Sequence, residues 1–175
     1  MIKMSPLLER ARDTLKIEIA GLERLIERLD PQFEEAVNLL FACQGKVILS
    51  GMGKSGLIAK KIAATLTSTG TPSLFLHAGE SSHGDLGIIT GQDVVIAFSY
   101  SGETSEVLQM IGHMQAIGVP LIAMTGKPDS TLAQAATVHL SIAVEKEACP
   151  LGLTPTASST ATLALGDALA MCLLE

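Results

Sequence analysis

The sequence has no tryptophan, one tyrosine and four phenylalanines, so aromatic residues make up only 3% of it. A chain this poor in aromatics has little on which to stack bases, which argues against a reader of nucleic acid. Charge points the same way, because 12 Lys and Arg against 18 Asp and Glu leave a formal net charge of −6. An anionic ligand must therefore be held by local donors against the overall field. Cysteine is also scarce. Cys43, Cys149 and Cys172 are odd in number and lack a C-x-x-C spacing. That excludes a disulfide framework and a cysteine zinc site, and predicts a reducing, cytoplasmic compartment. Long apolar runs are missing as well. The first thirty residues carry charges throughout, and the last apolar segment is interrupted by Gly166 and Asp167. Neither a signal peptide nor a membrane span is expected.

What is present suits a folded core. The 175 residues are 47% apolar, which fits one structural domain. Leu15, Ile19, Leu22, Leu25, Ile26 and Leu29 recur at three- and four-residue intervals among charges, as in an amphipathic helix. Asp30-Pro31 ends that helix and starts a second, which continues through "FEEAVNLLFAC". After about residue 45 the pattern changes to short, continuous apolar runs: 46–50, 73–77, 93–99, 120–125 and 137–144. Such runs are expected of parallel strands covered on both faces. The helix-like stretches between them predict a three-layer α/β/α sandwich with a five-stranded parallel, Rossmann-like sheet and right-handed crossovers. The organisation expected is N-terminal helices over 1–45 packed on a domain over 46–175. The sequence stops within an apolar stretch with no helix-ending residue, so a fragment of something longer is expected.

Ligands of such sheets sit beyond the carboxyl ends of the strands, which selects the loops "SGMGKSG", "HAGESSHGD", "SYSGETSE" and "TGKPDS". The first contains Gly51-x-Gly53-x-x-Gly56, the spacing of a dinucleotide-binding turn. That fingerprint also needs an acidic residue at the end of the second strand, where this chain has His77, with Glu80 only after the turn. Gly53-Lys54-Ser55 looks like the end of a nucleotide P-loop, but the glycine required five residues earlier is Ile48. A smaller phosphate fits better. Ser99, Ser101 and Thr104 surround Gly102 at a strand-to-helix junction, where hydroxyls and backbone N–H groups bind phosphate without a full positive charge. Ser55 can close on the same group. Taken singly, each residue also reads as a helix cap or turn residue; two such loops on neighbouring strands favour a site.

Together with "AMTGKPDS" and "KEACPLGLTPTASSTATLALGDAL", these motifs resemble the sugar isomerase (SIS) domain in order from about residue 46 to the end. Among SIS domains the sequence is most similar to the arabinose 5-phosphate isomerases. The resemblance implies interconversion of ribulose 5-phosphate and arabinose 5-phosphate, a step towards the Kdo sugar of Gram-negative surface polysaccharide. It implies a phosphate site of Ser55, Ser99, Ser101 and Thr104, with Gly53 and Gly102 shaping the turns, and a catalytic set of Lys54, His83, Glu106 and Glu147. It also implies homodimers or homotetramers with shared active sites. Family members usually continue into a segment with a catalytic histidine, and often into paired CBS modules; this sequence contains neither, which predicts reduced turnover.

The chemistry asks for a base over carbon, a donor to the developing oxyanion and a proton shuttle between oxygens. It needs no redox cofactor, and no ligand cluster in the sequence calls for a metal. Glu106, just inside a helix, either faces the crevice or caps that helix, and Glu147 precedes the last helix in an irregular segment; either carboxylate can be the base. Lys54 is placed to meet the phosphate or the enediolate oxygen. His83 can open the aldose ring or shuttle protons near neutral pH. His113 and His139 read as structural. The rival readings are a non-catalytic SIS module that senses a sugar phosphate and an isomerase of another phosphosugar.

Overall fold

The computed structural model describes residues 5–174, with the side chains of Ser82 and His83 outside the described set. Two helices open the chain, each started by the same device. Ser5 accepts the Leu7 N–H ahead of α1 (Pro6–Glu27), and Asp30 accepts the Gln32 N–H ahead of α2 (Pro31–Phe41). In both, proline occupies the first helical position, where its missing N–H costs nothing.

The rest alternates strand and helix: β1 (Val47–Gly51), α3 (Gly53–Ser68), β2 (Ser73–His77), β3 (Val94–Phe98), α4 (Ser105–Ile117), β4 (Leu121–Thr125), α5 (Thr131–Ala135), β5 (Val138–Ser141) and α6 (Ala157–Cys172). Two short 3₁₀ turns, Ala78–His83 and Asp85–Ile88, join β2 to β3. The sheet is parallel, in the order β2-β1-β3-β4-β5. Side chains alternate across it. Leu49, Ile96, Phe98 and Met124 pack under α1, α2, α3 and α6, whereas Ile48, Val95, Ala97 and Ala123 pack under α4 and α5. Apolar burial on both faces is why the central strands read as continuous apolar runs. No helix among the described residues is long and apolar enough to cross a membrane.

Two local expectations are revised. The fifth strand pairs only over Val138–Ser141, not 137–144. Beyond Ser141 the Tyr100 hydroxyl, and not a neighbouring strand, meets the backbone of Val144. The apolar residues of α1 also divide between two faces. Leu25 is buried with Gly21, whereas Leu15, Ile19, Ile26 and Leu29 are exposed. Gly21 explains the choice of inner face, since a Cβ there would stand 3.4 Å from Val144 Cγ1 and 3.5 Å from Ala157 Cβ. The helix backbone approaches that closely only because the side chain is absent.

At the opposite end of the sheet from the ligand loops, Asp93 is buried and fully engaged. Its carboxylate accepts the backbone N–H groups of Lys46 (2.9 Å) and Thr90 (2.7 Å), the Lys46 ammonium (2.8 Å) and the Thr90 hydroxyl (3.0 Å). Burial pushes its pKa up, but hydrogen bonds from Lys46 and Thr90 outweigh it, so the group sits below the ordinary aspartate value. A folded-state value below the unfolded one stabilises the fold above the unfolded value and is lost as pH falls through the folded value. Asp93→Ala is expected to cost about 2–4 kcal/mol in urea unfolding at neutral pH, because the donors are left behind. The gap to the parent should close on acidification below the ordinary aspartate range. An unchanged gap there would sink this account.

Candidate active site

β1 and β3 are adjacent in the sheet, but their following helices leave towards opposite faces: α3 towards α6, and α4 towards α5. This is a topological switch point, where a crevice opens beyond the strand ends. Both helices begin at its rim. Met52 and Thr104 occupy their cap positions without supplying a side-chain cap, although in α4 the Glu106 carboxylate takes its own first-turn N–H. Helix N-termini hold anions through their first-turn N–H groups and the helix dipole. The glycine turn that starts α3 has a packing reason, since a Cβ on Gly56 would stand 2.8 Å from the Gly51 carbonyl oxygen.

The loop from Ser99 to Thr104 is organised around one buried hydroxyl. Ser99 Oγ accepts the Gly102 N–H at 3.0 Å, lies 2.8 Å from Thr104 Oγ1 and 3.5 Å from Ser101 Oγ. Ser101 Oγ in turn accepts the Glu103 N–H at 3.2 Å. Ser99 thus holds the loop together from within, while Ser101 is exposed and Thr104 half-buried. The loop is tied to α5 as well: the Leu132 N–H donates to the Gly102 carbonyl, and the Thr131 N–H to the Glu103 carboxylate at 2.7 Å.

Lys54 and Ser55, on the first turn of α3, line a narrow cleft with Tyr100 and with Ser158 from the first turn of α6. Lys54 is exposed and makes no ion pair among the described residues. Glu147 belongs to the same wall. Its Oε2 accepts the Thr156 N–H (2.7 Å), the Thr156 hydroxyl (2.9 Å) and the Ser158 N–H (3.3 Å), and so caps α6. Burial pushes its carboxyl up, but the bonds from Ser158 and Thr156 outweigh that and hold it below the ordinary glutamate value. Two residues on, backbone N–H groups of Thr154, Leu153 and Leu151 and the Thr154 hydroxyl draw the Cys149 thiol down to about 7.

Glu106 lies in the first turn of α4, half-buried, and accepts the Ser105 hydroxyl at 2.9 Å. Its carboxyl is held low first by its own backbone N–H, then by Ser105, with a further pull from His77. His77 joins the site only in three dimensions. It ends β2, is exposed, and accepts the Gly79 N–H on Nδ1 at 3.2 Å, which leaves the proton of the neutral ring on Nε2. Its place at a strand's carboxyl end was the available signal. The side chain of His83 lies outside the described residues. His139 is confined to β5, bonded through Nε2 to Thr125 Oγ1 at 2.9 Å.

The site residues expected from sequence therefore fall in three places: Gly53, Lys54 and Ser55 on α3; Ser99, Ser101, Gly102, Thr104 and Glu106 leading into α4; and Glu147 bonded to the head of α6. Tyr100 and Ser158 are further lining residues that the motifs alone did not single out. Two N-termini with clustered hydroxyls can bind a compact dianion, and carboxylates with a lysine nearby can move a proton and steady an oxyanion. Among the described residues no three His, Cys, Asp or Glu side chains gather as metal ligands.

Comparison with known proteins is specific. Residues 40–172 match the SIS domain family. Over 167 residues the chain is 53% identical to the arabinose 5-phosphate isomerase KdsD of Salmonella typhi, covering 95% of this chain and 51% of that protein. With the Pseudomonas aeruginosa PAO1 enzyme of the same name it is 52% identical over 165 residues, 94% of this chain and 51% of the relative. The chain thus spans about half the length of these curated relatives. The solved structure of Escherichia coli CFT073 c3406 in complex with arabinose 5-phosphate superimposes with a TM-score of 0.93 at 42% identity, covering 98% of this chain and 92% of the other.

Proposed function

The chain belongs to the SIS domain family, and from that premise we propose that it interconverts ribulose 5-phosphate and arabinose 5-phosphate through an enediol. The observation that carries this reading is the switch point between β1 and β3, where α3 with Lys54 and α4 with its serine–threonine loop and Glu106 begin without N-cap side-chain bonds. The similarity to KdsD isomerases and to a relative bound to arabinose 5-phosphate supports the pentose phosphate as substrate.

The phosphate sits at the N-termini of α3 and α4, held by Ser55, Ser101 and Thr104 and by backbone N–H groups, with Ser99 keeping the loop in shape. Glu106 takes the proton from C2 of the aldose and returns it to C1, and the ammonium of Lys54 steadies the enediolate oxygen between the two steps. Glu147 keeps the head of α6 in place as the facing wall. His83 opens the sugar ring and carries a proton between the two oxygens. The hydrogen moves within one substrate molecule, so the reaction calls for no redox cofactor. A phosphosugar substrate and three free cysteines suit a reducing cytoplasm, where the product feeds synthesis of the Kdo sugar.

The decisive experiment is an isomerase assay on ribulose 5-phosphate without added nucleotide or metal, beside calorimetric binding of arabinose 5-phosphate. Interconversion is expected. Binding without turnover would transfer the reading to a sensing module, and neither binding nor turnover would sink it.

The active protein is a homodimer or homotetramer with shared active sites. Supporting this, Leu8, Leu15, Ile19, Ile26 and Leu29 are exposed along α1 and its C-terminal end at spacings of seven, four, seven and three, an apolar heptad stripe that the described residues leave uncovered. Leu15→Glu combined with Ile26→Glu is expected to convert the assembly to monomers in sedimentation velocity, with the far-ultraviolet circular dichroism unchanged. A parent chain that sediments as a monomer would refute the assignment.

A further inference from the structure

The segment that carries Glu147 is held in place by side chains. β5 ends at Ser141, and after it only the Ile142 N–H, bonded to the Thr125 carbonyl at 2.9 Å, continues the pattern of the sheet. From Ala143 onwards the backbone is met from two sides. On the sheet side, the Tyr100 hydroxyl accepts the Val144 N–H at 3.3 Å and stands 3.5 Å from the Val144 carbonyl. On the outer side the segment is met by α1 and its C-cap residue. Arg28 Nη1 donates to the Ala143 carbonyl at 2.8 Å, and Arg24 Nε donates to the Glu145 carboxylate at 3.1 Å. Gly21 lets the helix close on Val144 and Ala157, and Glu18 accepts the Thr160 hydroxyl of α6 at 2.9 Å. Positions 18, 21, 25 and 28 follow the three- and four-residue spacing of one helix face, with 24 beside 28. That face lies roughly a third of a turn round the helix from the apolar stripe assigned above to assembly.

We propose that α1 is a positioning element for the reaction, with Arg24 and Arg28 setting the register of residues 143–147 and so of Glu147 and the head of α6. The inference rests on the isomerase reading, in which that wall faces Lys54 and Ser55. The two arginines touch no substrate; they act through the segment they hold. Misplacement of a site wall by about an ångström is enough to lower turnover roughly a hundredfold. Phosphate binding is supplied elsewhere, by the loops entering α3 and α4, so affinity and turnover should separate.

The test compares the intact chain with Arg24→Gln/Arg28→Gln, with Arg28→Lys, and with Arg10→Gln as an exposed charge control on the same helix. Two readouts are taken: steady-state isomerisation, and hydrogen–deuterium exchange of amides 143–148. The double variant is expected to exchange faster in that segment and to lose kcat by roughly tenfold to a hundredfold, with KM within about twofold. Arg28→Lys, which can still donate to one carbonyl, should recover most of the loss, and Arg10→Gln should match the parent. Faster exchange with unchanged kcat would overturn the link to catalysis. Unchanged exchange would overturn the brace itself, and this arm needs no activity. A parent chain that never isomerises would instead remove the functional reading, with the exchange result still deciding whether α1 holds the segment.

Discussion

Gly102→Ala is expected to abolish measurable binding of arabinose 5-phosphate and to lower stability by roughly 2–5 kcal/mol, combining the left-handed backbone cost with overpacking. Gly102 has φ +68°, a conformation that costs an L residue about 1–2 kcal/mol. Space adds a larger obstacle. A Cβ there would land on Oγ and Cβ of Ser130, inside any permitted contact. Ser130 cannot swing aside freely, because it caps α5 through the Ala133 N–H and donates to the Lys127 carbonyl at 2.7 Å. The strain is therefore passed back into the loop, where Gly102 donates to Ser99 Oγ and accepts from Leu132. Losing the first bond frees the hydroxyl that aligns Ser101 and Thr104. Affinity should fall at least about a hundredfold, some 2.8 kcal/mol, by isothermal calorimetry, with thermal unfolding recorded in parallel. An alanine variant that binds like its parent would show that this loop is not where the phosphate sits.

That loop was legible in the sequence because its hydroxyl network lies within six positions, from Ser99 to Thr104, whereas its ties to Thr131 and Leu132 of α5 were not. The strands were legible for a related reason: a strand buried on both faces writes its burial into consecutive residues. Where one stretch serves two purposes, the pattern misleads. The apolar residues of α1 form a regular series, but Leu25 faces the core while Leu15, Ile19 and Ile26 face outwards. The deciding residue is Gly21, whose contribution is the absence of a side chain and leaves no mark on hydrophobic periodicity. Residues 142–144 continue the apolar run of β5 in composition, yet only Ile142 still bonds to β4, and the partners of 143 and 144 are an arginine 115 residues away and a tyrosine hydroxyl some forty residues away. Glu147 as a helix cap was hidden because Thr156 and Ser158 stand nine and eleven residues downstream. His77 was hidden because its electrostatic partner, Glu106, comes from another strand-to-helix junction. Motif spacing selected the candidate loops; the two carboxylates differ only once the fold shows what each is bonded to.

That distinction leads to the largest expected effect on rate. Glu106→Gln should lower kcat by roughly 10²–10⁴-fold, the usual worth of a positioned base, with KM and thermal stability close to the parent. A base must bring a free lone pair to carbon and release it again. Oε2 of Glu147 already accepts three donors, two of them backbone N–H groups that α6 fixes in place. Reorienting it would uncap the helix. Glu106 is bound to its own first turn and to one exposed serine hydroxyl, a hold that substrate can displace. Glu147→Gln should therefore lower activity together with stability, by about 1 kcal/mol for the weakened cap, whereas Glu106→Gln should spare the fold. The pH profile adds an independent check. Glu106 is held below the ordinary glutamate value, so the base stays ionised through the mildly acidic range, and kcat/KM should fall only as pH drops below that value. Exchange of the substrate's transferred hydrogen with deuterium from solvent isolates the step: the parent should exchange, Glu106→Gln should not, and Lys54→Ala should exchange slowly through a poorly stabilised enediolate. If Glu106→Gln exchanged at the parent rate while Glu147→Gln fell silent, the base would be Glu147. Glu147 would then act through Oε1 while Oε2 keeps its capping bonds, and the amides of Thr156 and Ser158 should stay protected when substrate is present.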